Sequence, residues 1–174
     1  MIESNNELLL RLINDILDLS KIESGILESK RVKFSITQLC DELYRMMLQK
    51  IPNMDVKLLQ DKLLQDYWVF LDRDRLKQVW MNFLTNAMKC TRSGYIRMGF
   101  SVENGGFRFY VEDTGCGIPK KLHSQVFGRF QKLNEFTQGT GLVLAISKAI
   151  IEAAGGEIGF TSKPGVGSTF WGWV

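Results

Sequence analysis

Apolar residues recur along the first two dozen positions at alternating steps of three and four. Leu9, Leu12, Ile16 and Leu19 form a stripe that Leu8, Ile13 and Leu17 widen, the pattern of a helix with one broad apolar face. The spacing predicts a helix over residues 4–24, and Gly25 is placed to end it. So apolar a face needs a partner. The helix either packs on its own domain or forms half of a helical hairpin, dimeric and lacking its first half.

A Lys/Ser-rich connection follows, then an extended piece around Val32 to Phe34. A helix near Ile36 to Gln49 has Leu39, Leu43 and Met46/Met47 as its buried side, and Pro52-Asn53 reads as a turn. Short strands are expected near Val56 to Leu59 and Trp68 to Leu71. Asp72 is placed to cap a long helix reaching about Thr91. Tyr95 to Val102 and Phe107 to Val111 alternate around Asn104-Gly105-Gly106, which predicts a hairpin. Residues 113–140 are loop-rich and punctuated by glycine. A helix from about Gly141 to Ala154 is closed by Gly155-Gly156, and Glu157 to Thr161 and Ser168 to Val174 make a last hairpin across Lys163-Pro164-Gly165. This order implies an α+β fold, a two-layer sandwich with helices on one face of a mixed, mostly antiparallel sheet, preceded by one N-terminal helix.

Composition narrows the picture only a little. A chain of 174 residues, 45% hydrophobic and 24% charged, suits one ordinary domain with an appendage. Its net charge of +3 gives no case for nucleic acid as a partner. Cys40, Cys90 and Cys116 show neither metal-ligand spacing nor a disulfide framework, which favours a reducing, cytosolic setting. No apolar run approaches the roughly 18 residues that span a bilayer, and the N-terminus lacks the basic start of a signal peptide. A membrane-anchored parent remains compatible with this.

Three clusters carry candidate chemistry. Asn82, Asn86 and Lys89 fall at i, i+4 and i+7 of the long helix, so two carboxamides and an ammonium share a face. Amide oxygens suit a hard cation and an ammonium suits phosphate; the plain alternative is a solvated polar face. Asp113-Thr114-Gly115-Cys116-Gly117-Ile118-Pro119 follows an alternating strand. An Asp at a strand end can accept from an exocyclic amine, and the glycines allow close approach of a planar ligand; the alternative is an Asp-capped turn. Gln138-Gly139-Thr140-Gly141-Leu142 opens a helix, where bare N–H groups and the helix dipole favour phosphate; the alternative is a loop whose glycines only cap. Between the last two lies Phe127-Gly128-Arg129-Phe130 and then the polar stretch 131–138, either a lid with Arg129 near phosphates or a surface loop pinned by two core phenylalanines.

Taken in order and spacing, these clusters resemble the motifs of sensor histidine kinases. Asn82, Asn86 and Lys89 look like the N box, Asp113 to Gly117 the G1 box, Phe127 and Phe130 the F box, and Gly139 to Leu142 the G2 box. The run Asp18 to Glu23 looks like the end of the second helix of the dimerisation domain, which divides the chain into residues 1–28 and an ATP-binding domain at 29–174. The stretch Gln131 to Asn134 further resembles hybrid two-component sensors of Bacteroidetes. The resemblance implies the ATP-binding fold shared with gyrase, mismatch-repair and chaperone ATPases, with ATP and Mg²⁺ as ligands. It implies that Asp113 holds the adenine amine, that Gly115, Gly117, Ile118 and Thr169 line that pocket, and that Phe130 belongs to the lid. Asn86, with Asn82, would ligate Mg²⁺, and Lys89, Arg129 and the backbone of Gly139, Thr140, Gly141 and Leu142 would meet the phosphates.

The implied reaction passes the γ-phosphate to a histidine on the dimerisation domain and onward to a response regulator receiver domain. The parent would be a homodimer through the N-terminal helix, anchored in the inner membrane with this part in the cytoplasm. Related ATPases carry a water-activating glutamate where Asn82 stands, and an amide is no general base at neutral pH; this favours phosphoryl transfer over hydrolysis. His123, the one histidine, lies in a loop rather than on a helix beside an acid, so it is expected to be a surface residue and not the phosphoacceptor. No catalytic residue is expected within the chain. Val143 replaces a glycine usual in the family and favours an alternative, a degenerate nucleotide-binding or non-catalytic interaction module.

Overall fold

The structure is a computed structural model that describes residues 2–25, 29–51, 55–63, 65–130 and 141–174, leaving aside the side chains of residues 2–8, 11, 12, 22 and 23. The Pro52-Asn53 turn, Gly139, Thr140 and residues 131–138 therefore lie outside the described residues. Helix α1 (Ile2–Glu23) leads into strand β1 (Arg31–Ser35), helix α2 (Ile36–Leu48) and strands β2 (Val56–Gln60) and β3 (Trp68–Asp72). Helix α3 (Arg73–Cys90) precedes β4 (Gly94–Glu103) and β5 (Gly106–Asp113), a 3₁₀ turn at Lys120–Gln125, α4 (Val143–Ala153), β6 (Glu157–Lys163) and β7 (Gly167–Trp173). The 3₁₀ turn inside the loop-rich middle is the one element absent from the sequence expectation.

Five strands form the main sheet in the order β2-β4-β5-β7-β6, with β2 parallel to β4 and every other pair antiparallel. A separate antiparallel pair, β1-β3, sits beside it. Alternation sends Ile96, Met98, Phe107, Phe109, Val111 and Phe170 into the core and leaves Arg97, Arg108, Tyr110, Glu112 and Trp171 on the outer face. Helices α2, α3 and α4 cover the inner face.

A row of aromatic rings crosses a mainly aliphatic core. Trp80 of α3 lies 5.2 Å from Phe109, Phe83 stacks on Phe109 at 5.9 Å and meets Phe170 at 5.7 Å, and Phe170 stacks on Phe160 at 5.6 Å. Burying each such ring is worth about 1.5–3 kcal/mol. Because the row runs from α3 through β5 and β7 to β6, it fixes the helix that carries Asn82 and Asn86 against the strands that carry Asp113 and Ser168. Two caps sharpen the helix starts: Ser35 accepts from the Gln38 amide at 3.2 Å and Asp72 from the Arg75 amide at 3.1 Å. As expected, α1 stops just before Gly25, which adopts φ +67°. Its Leu19 joins the common core, and Asp18 pairs with Arg75 of α3 at 3.3 Å.

Candidate functional site

On α3, Leu76, Val79, Trp80, Phe83, Leu84 and Ala87 are buried, which rotates Asn82 and Asn86 to the edge of the core, both half-buried, and leaves Lys89 exposed. The Asn82 amide nitrogen donates to the Ser147 hydroxyl at 3.1 Å, and that hydroxyl donates to the Val143 carbonyl at 2.8 Å. Asn82 thus ties α3 to the first turn of α4 through a fully buried serine. Among the described residues no hydrogen bond is formed by the Asn86 side chain, which lies one turn beyond Asn82 on α3.

Asp113 ends β5 with its side chain buried on the helix-covered face. Its carboxylate accepts from the Gly115 amide at 2.8 Å and from the Ser168 amide. Burial pushes its pKa above the ordinary carboxylate value, the two amides pull it back, and neighbouring Glu112 adds to the rise. The result is a shielded acceptor with lone pairs to spare for a donor such as an exocyclic amine.

The strand register corrects one expected contact. Ser168 stands opposite Asp113, whereas Thr169 stands opposite Glu112 and Thr161. Successive side chains on a strand alternate faces, so Thr169 projects from the outer face and it is Ser168, itself buried, that shares Asp113's side. A depression of about 330 Å³ opens at this end of the sheet, lined by outer-face Tyr95, Glu112, Thr161 and Thr169 together with Asp113 and Ser168. None of Asn82, Asn86 and Lys89 lines it.

The glycines of the Asp113 turn do something other than the sequence suggested. A Cβ on Gly115 would lie 2.6 Å from the Cys90 carbonyl oxygen, and one on Gly117, at φ +66°, would lie 2.1 Å from that of Lys163. The close approach they permit is of backbone to backbone, joining the turn to the end of α3 and to the β6-β7 hairpin. Hydrogen bonds hold the same junction: Gly165 donates to the Cys116 carbonyl at 2.8 Å, Ile118 donates to the Ser162 hydroxyl at 2.7 Å, and Ser162 meets the Ser168 hydroxyl at 2.9 Å. Ser162 escaped sequence reasoning because it lies outside every glycine cluster, and Ser168 because the run Gly165-Val166-Gly167-Ser168-Thr169 reads by itself as a turn; the one available signal was strand parity counted from Asp113.

Beyond the turn, the His123 ring bonds the Ile118 carbonyl at 3.0 Å through Nε2 and packs edge-on against Phe160 at 5.1 Å. It is half-buried, a structural pin rather than the surface residue expected. Phe127 joins the aromatic row through Phe160 and Phe170. Phe130 does not: it is 62% exposed at φ +58°, so one phenylalanine, not two, anchors this loop. Arg129 is exposed beside it. Helix α4 begins at Val143, two residues later than expected, with Gly141 outside it at φ +71°. Leu142 is wholly buried, and its carbonyl accepts from the Ile146 amide at 2.9 Å.

A buried acid at the end of β5, a polar helix face across from it and a glycine-flanked α4 start, on this mixed sheet, define a known class. The chain belongs to the family described as histidine kinase-, DNA gyrase B- and HSP90-like ATPases, whose model matches residues 71–174. Within that family it is the ATP-binding catalytic domain of a sensor histidine kinase. It is 38% identical over 180 residues to the circadian input-output histidine kinase CikA of Synechococcus elongatus, covering 99% of this chain and 24% of the relative. It is 35% identical over 181 residues to the sensor protein GacS of Pseudomonas syringae pv. syringae, covering 98% and 20%. Among solved structures, full-length ShkA in complex with AMPPNP matches with TM-score 0.85 and 28% identity, over 99% of this chain and 36% of that one. The catalytic domain of the histidine kinase ThkA matches with TM-score 0.74 and 31% identity, over 83% and 95%. The chain therefore spans about a quarter or less of the length of these curated relatives. None of them supports the resemblance to Bacteroidetes sensors, which rests on residues 131–134 outside the described ones.

Proposed function

We propose that the chain binds ATP with Mg²⁺ between α3 and the Asp113 turn and presents the γ-phosphate to a histidine of its parent protein. Asp113 accepts from the adenine amine, with Ser168, Gly117 and Ile118 around it. Asn86, assisted by the free oxygen of Asn82, holds the cation; among the described residues no three His, Cys, Asp or Glu side chains converge on a metal position, so the nucleotide's own phosphates supply the remaining charge. Lys89, Arg129 and the backbone of residues 139–142 meet the phosphates. Mg²⁺ would draw charge off the β- and γ-phosphates as transfer proceeds.

Asn82 supports transfer over hydrolysis. Its amide is engaged with Ser147, and it has no basic group with which to activate water. Residues 1–28 are read as the end of the dimerisation hairpin, which pairs two parents and carries the acceptor histidine on its other helix. A receiver domain then takes the phosphate. No helix among the described residues is long and apolar enough to cross a membrane; an inner-membrane anchor would belong to the rest of the parent.

The observation that carries this reading is the buried carboxylate of Asp113 facing the helix layer with its geometry set by two backbone amides. Calorimetric titration with Mg-ATP tests it. Binding is expected for the native chain and its loss by about tenfold or more for Asp113→Ala, since an unpaired amine in a buried site costs about 1–3 kcal/mol; equal affinity in the variant removes Asp113 from the site. A second reading, a degenerate module that binds partners without transferring phosphate, is favoured by Val143, whose branched side chain sits in the first turn of α4. Restoring the upstream helix and assaying acid-labile phosphate separates the two: binding without labelling favours the module.

A further inference from the structure

The two nucleotide motifs meet at a pair of thiols. Cys90 is the last residue of α3, one position after Lys89, and Cys116 lies inside the Asp113 turn. The Cys116 side chain lies close enough to act on the Cys90 thiol. The backbone is equally close there: the Gly115 Cα stands where a Cβ would come within 2.8 Å of the Cys90 carbonyl carbon. Cys116 is exposed and Cys90 half-buried, while the third cysteine, Cys40, is buried elsewhere in contact with Gln60. Nothing in the proposed nucleotide chemistry uses either thiol.

We propose that Cys90 and Cys116 form an oxidisable pair, a modification site for peroxide, whose disulfide bonds the Asp113 turn to the end of α3 and weakens nucleotide binding. Exposed Cys116 meets the oxidant. Its sulfur attacks one peroxide oxygen, the O–O bond breaks, and sulfenic acid and water result. The Cys90 sulfur then attacks the sulfenic sulfur, the S–O bond breaks, and the Cys90 proton leaves with the departing oxygen as a second water. Two thiols lose two electrons and one peroxide gains them. The Cys90 thiol is pushed up to about 12, first by burial and then by Cys116, so it is the slower, resolving partner and the reaction quickens with rising pH.

The consequence for nucleotide follows from what the bond would move. A disulfide holds its sulfurs at about 2.05 Å, well inside thiol contact distance. Closing that gap draws the turn towards α3 where Gly115 is already against the Cys90 carbonyl, so Asp113 and Asn86 lose their relative placement. This part rests on the proposed nucleotide site; formation of the disulfide does not.

The test treats the reduced chain with hydrogen peroxide and maps thiols by peptide mass, then measures Mg-ATP binding before and after, with reductant added back. The expected result is one intramolecular Cys90–Cys116 bond at the loss of two hydrogen atoms, Cys40 unmodified, and an affinity lowered about tenfold and restored by reductant. Cys90→Ser and Cys116→Ser should each show the same affinity with and without peroxide. Peroxide that leaves Cys116 sulfinic, or both thiols reduced, overturns the pair. A bond that forms with affinity unchanged overturns its control of nucleotide. If the reduced chain binds no nucleotide, the mass result still decides the pair and the failure belongs to the nucleotide reading.

Discussion

At the scale of single residues, the site depends on which face of a strand a side chain takes. Asp113 and Ser168 share the inner face, and Thr169, one residue on, does not. Ser168→Ala should therefore weaken nucleotide binding by a few-fold, through loss of a hydroxyl worth about 0.5–1.5 kcal/mol, while Thr169→Ala leaves it unchanged; calorimetry on the two variants checks the pair of outcomes, and the reverse result would return the role to Thr169. Trp80 shows a different kind of residue effect. Its side chain is fully buried, and among the described residues its indole N–H has no acceptor. Leaving that donor unpaired costs about 1–3 kcal/mol, similar to what a smaller ring would lose in packing. Trp80→Phe should stay within about 1 kcal/mol of the native stability in urea unfolding, whereas Trp80→Ala should lose about 3–5 kcal/mol.

At the scale of elements, α2 and α3 are clamped through one carboxylate. Glu42 of α2 accepts from Lys77 at 2.6 Å and also from Arg73, both on α3. Lys77 first, then Arg73, hold its pKa below the ordinary glutamate value. The sign follows: a lowered native pKa contributes stability that is present above the unfolded value and lost as pH falls through the native one. Glu42→Gln should lower the melting temperature near pH 7, and the deficit should shrink as pH drops below about 4.5, the unperturbed value; a deficit independent of pH would mean that packing, not charge, is lost. The clamp matters for function because it orients the helix bearing Asn82 and Asn86. Most elements were legible in advance, since period, caps and turn residues agreed locally. The α4 start was misplaced by two residues because Gly141 takes a left-handed conformation just before the helix, which a glycine-rich run signals without locating.

At the scale of the whole molecule, α1 packs on α4 and is pinned by Asp18–Arg75, yet Leu9, Leu10, Ile13, Ile16 and Leu17 remain 45–62% exposed. Part of the opening apolar stripe thus serves the domain, through Leu19, and the rest presents a face of the kind that marks an interface. Sedimentation of the chain should show self-association that rises with concentration, and Ile13→Lys with Leu17→Lys should shift it to monomer without lowering the melting temperature by more than a few degrees. A native chain that stays monomeric at high concentration would place the partner of this face outside a second copy.

By itself the sequence determined the helices and strands, the α+β class and the three polar clusters, because hydrophobic period and turn chemistry are local and each cluster sits within a few residues of its own element. Tertiary structure decided what depends on pairing between distant segments. The register set Ser168 rather than Thr169 beside Asp113, the packing of α3 on α4 joined Asn82 to Ser147, and the closeness of the Asp113 turn to the end of α3 set Cys116 against Cys90. Such placements follow from contacts between residues dozens of positions apart, and a one-residue change of register would have reversed the first of them.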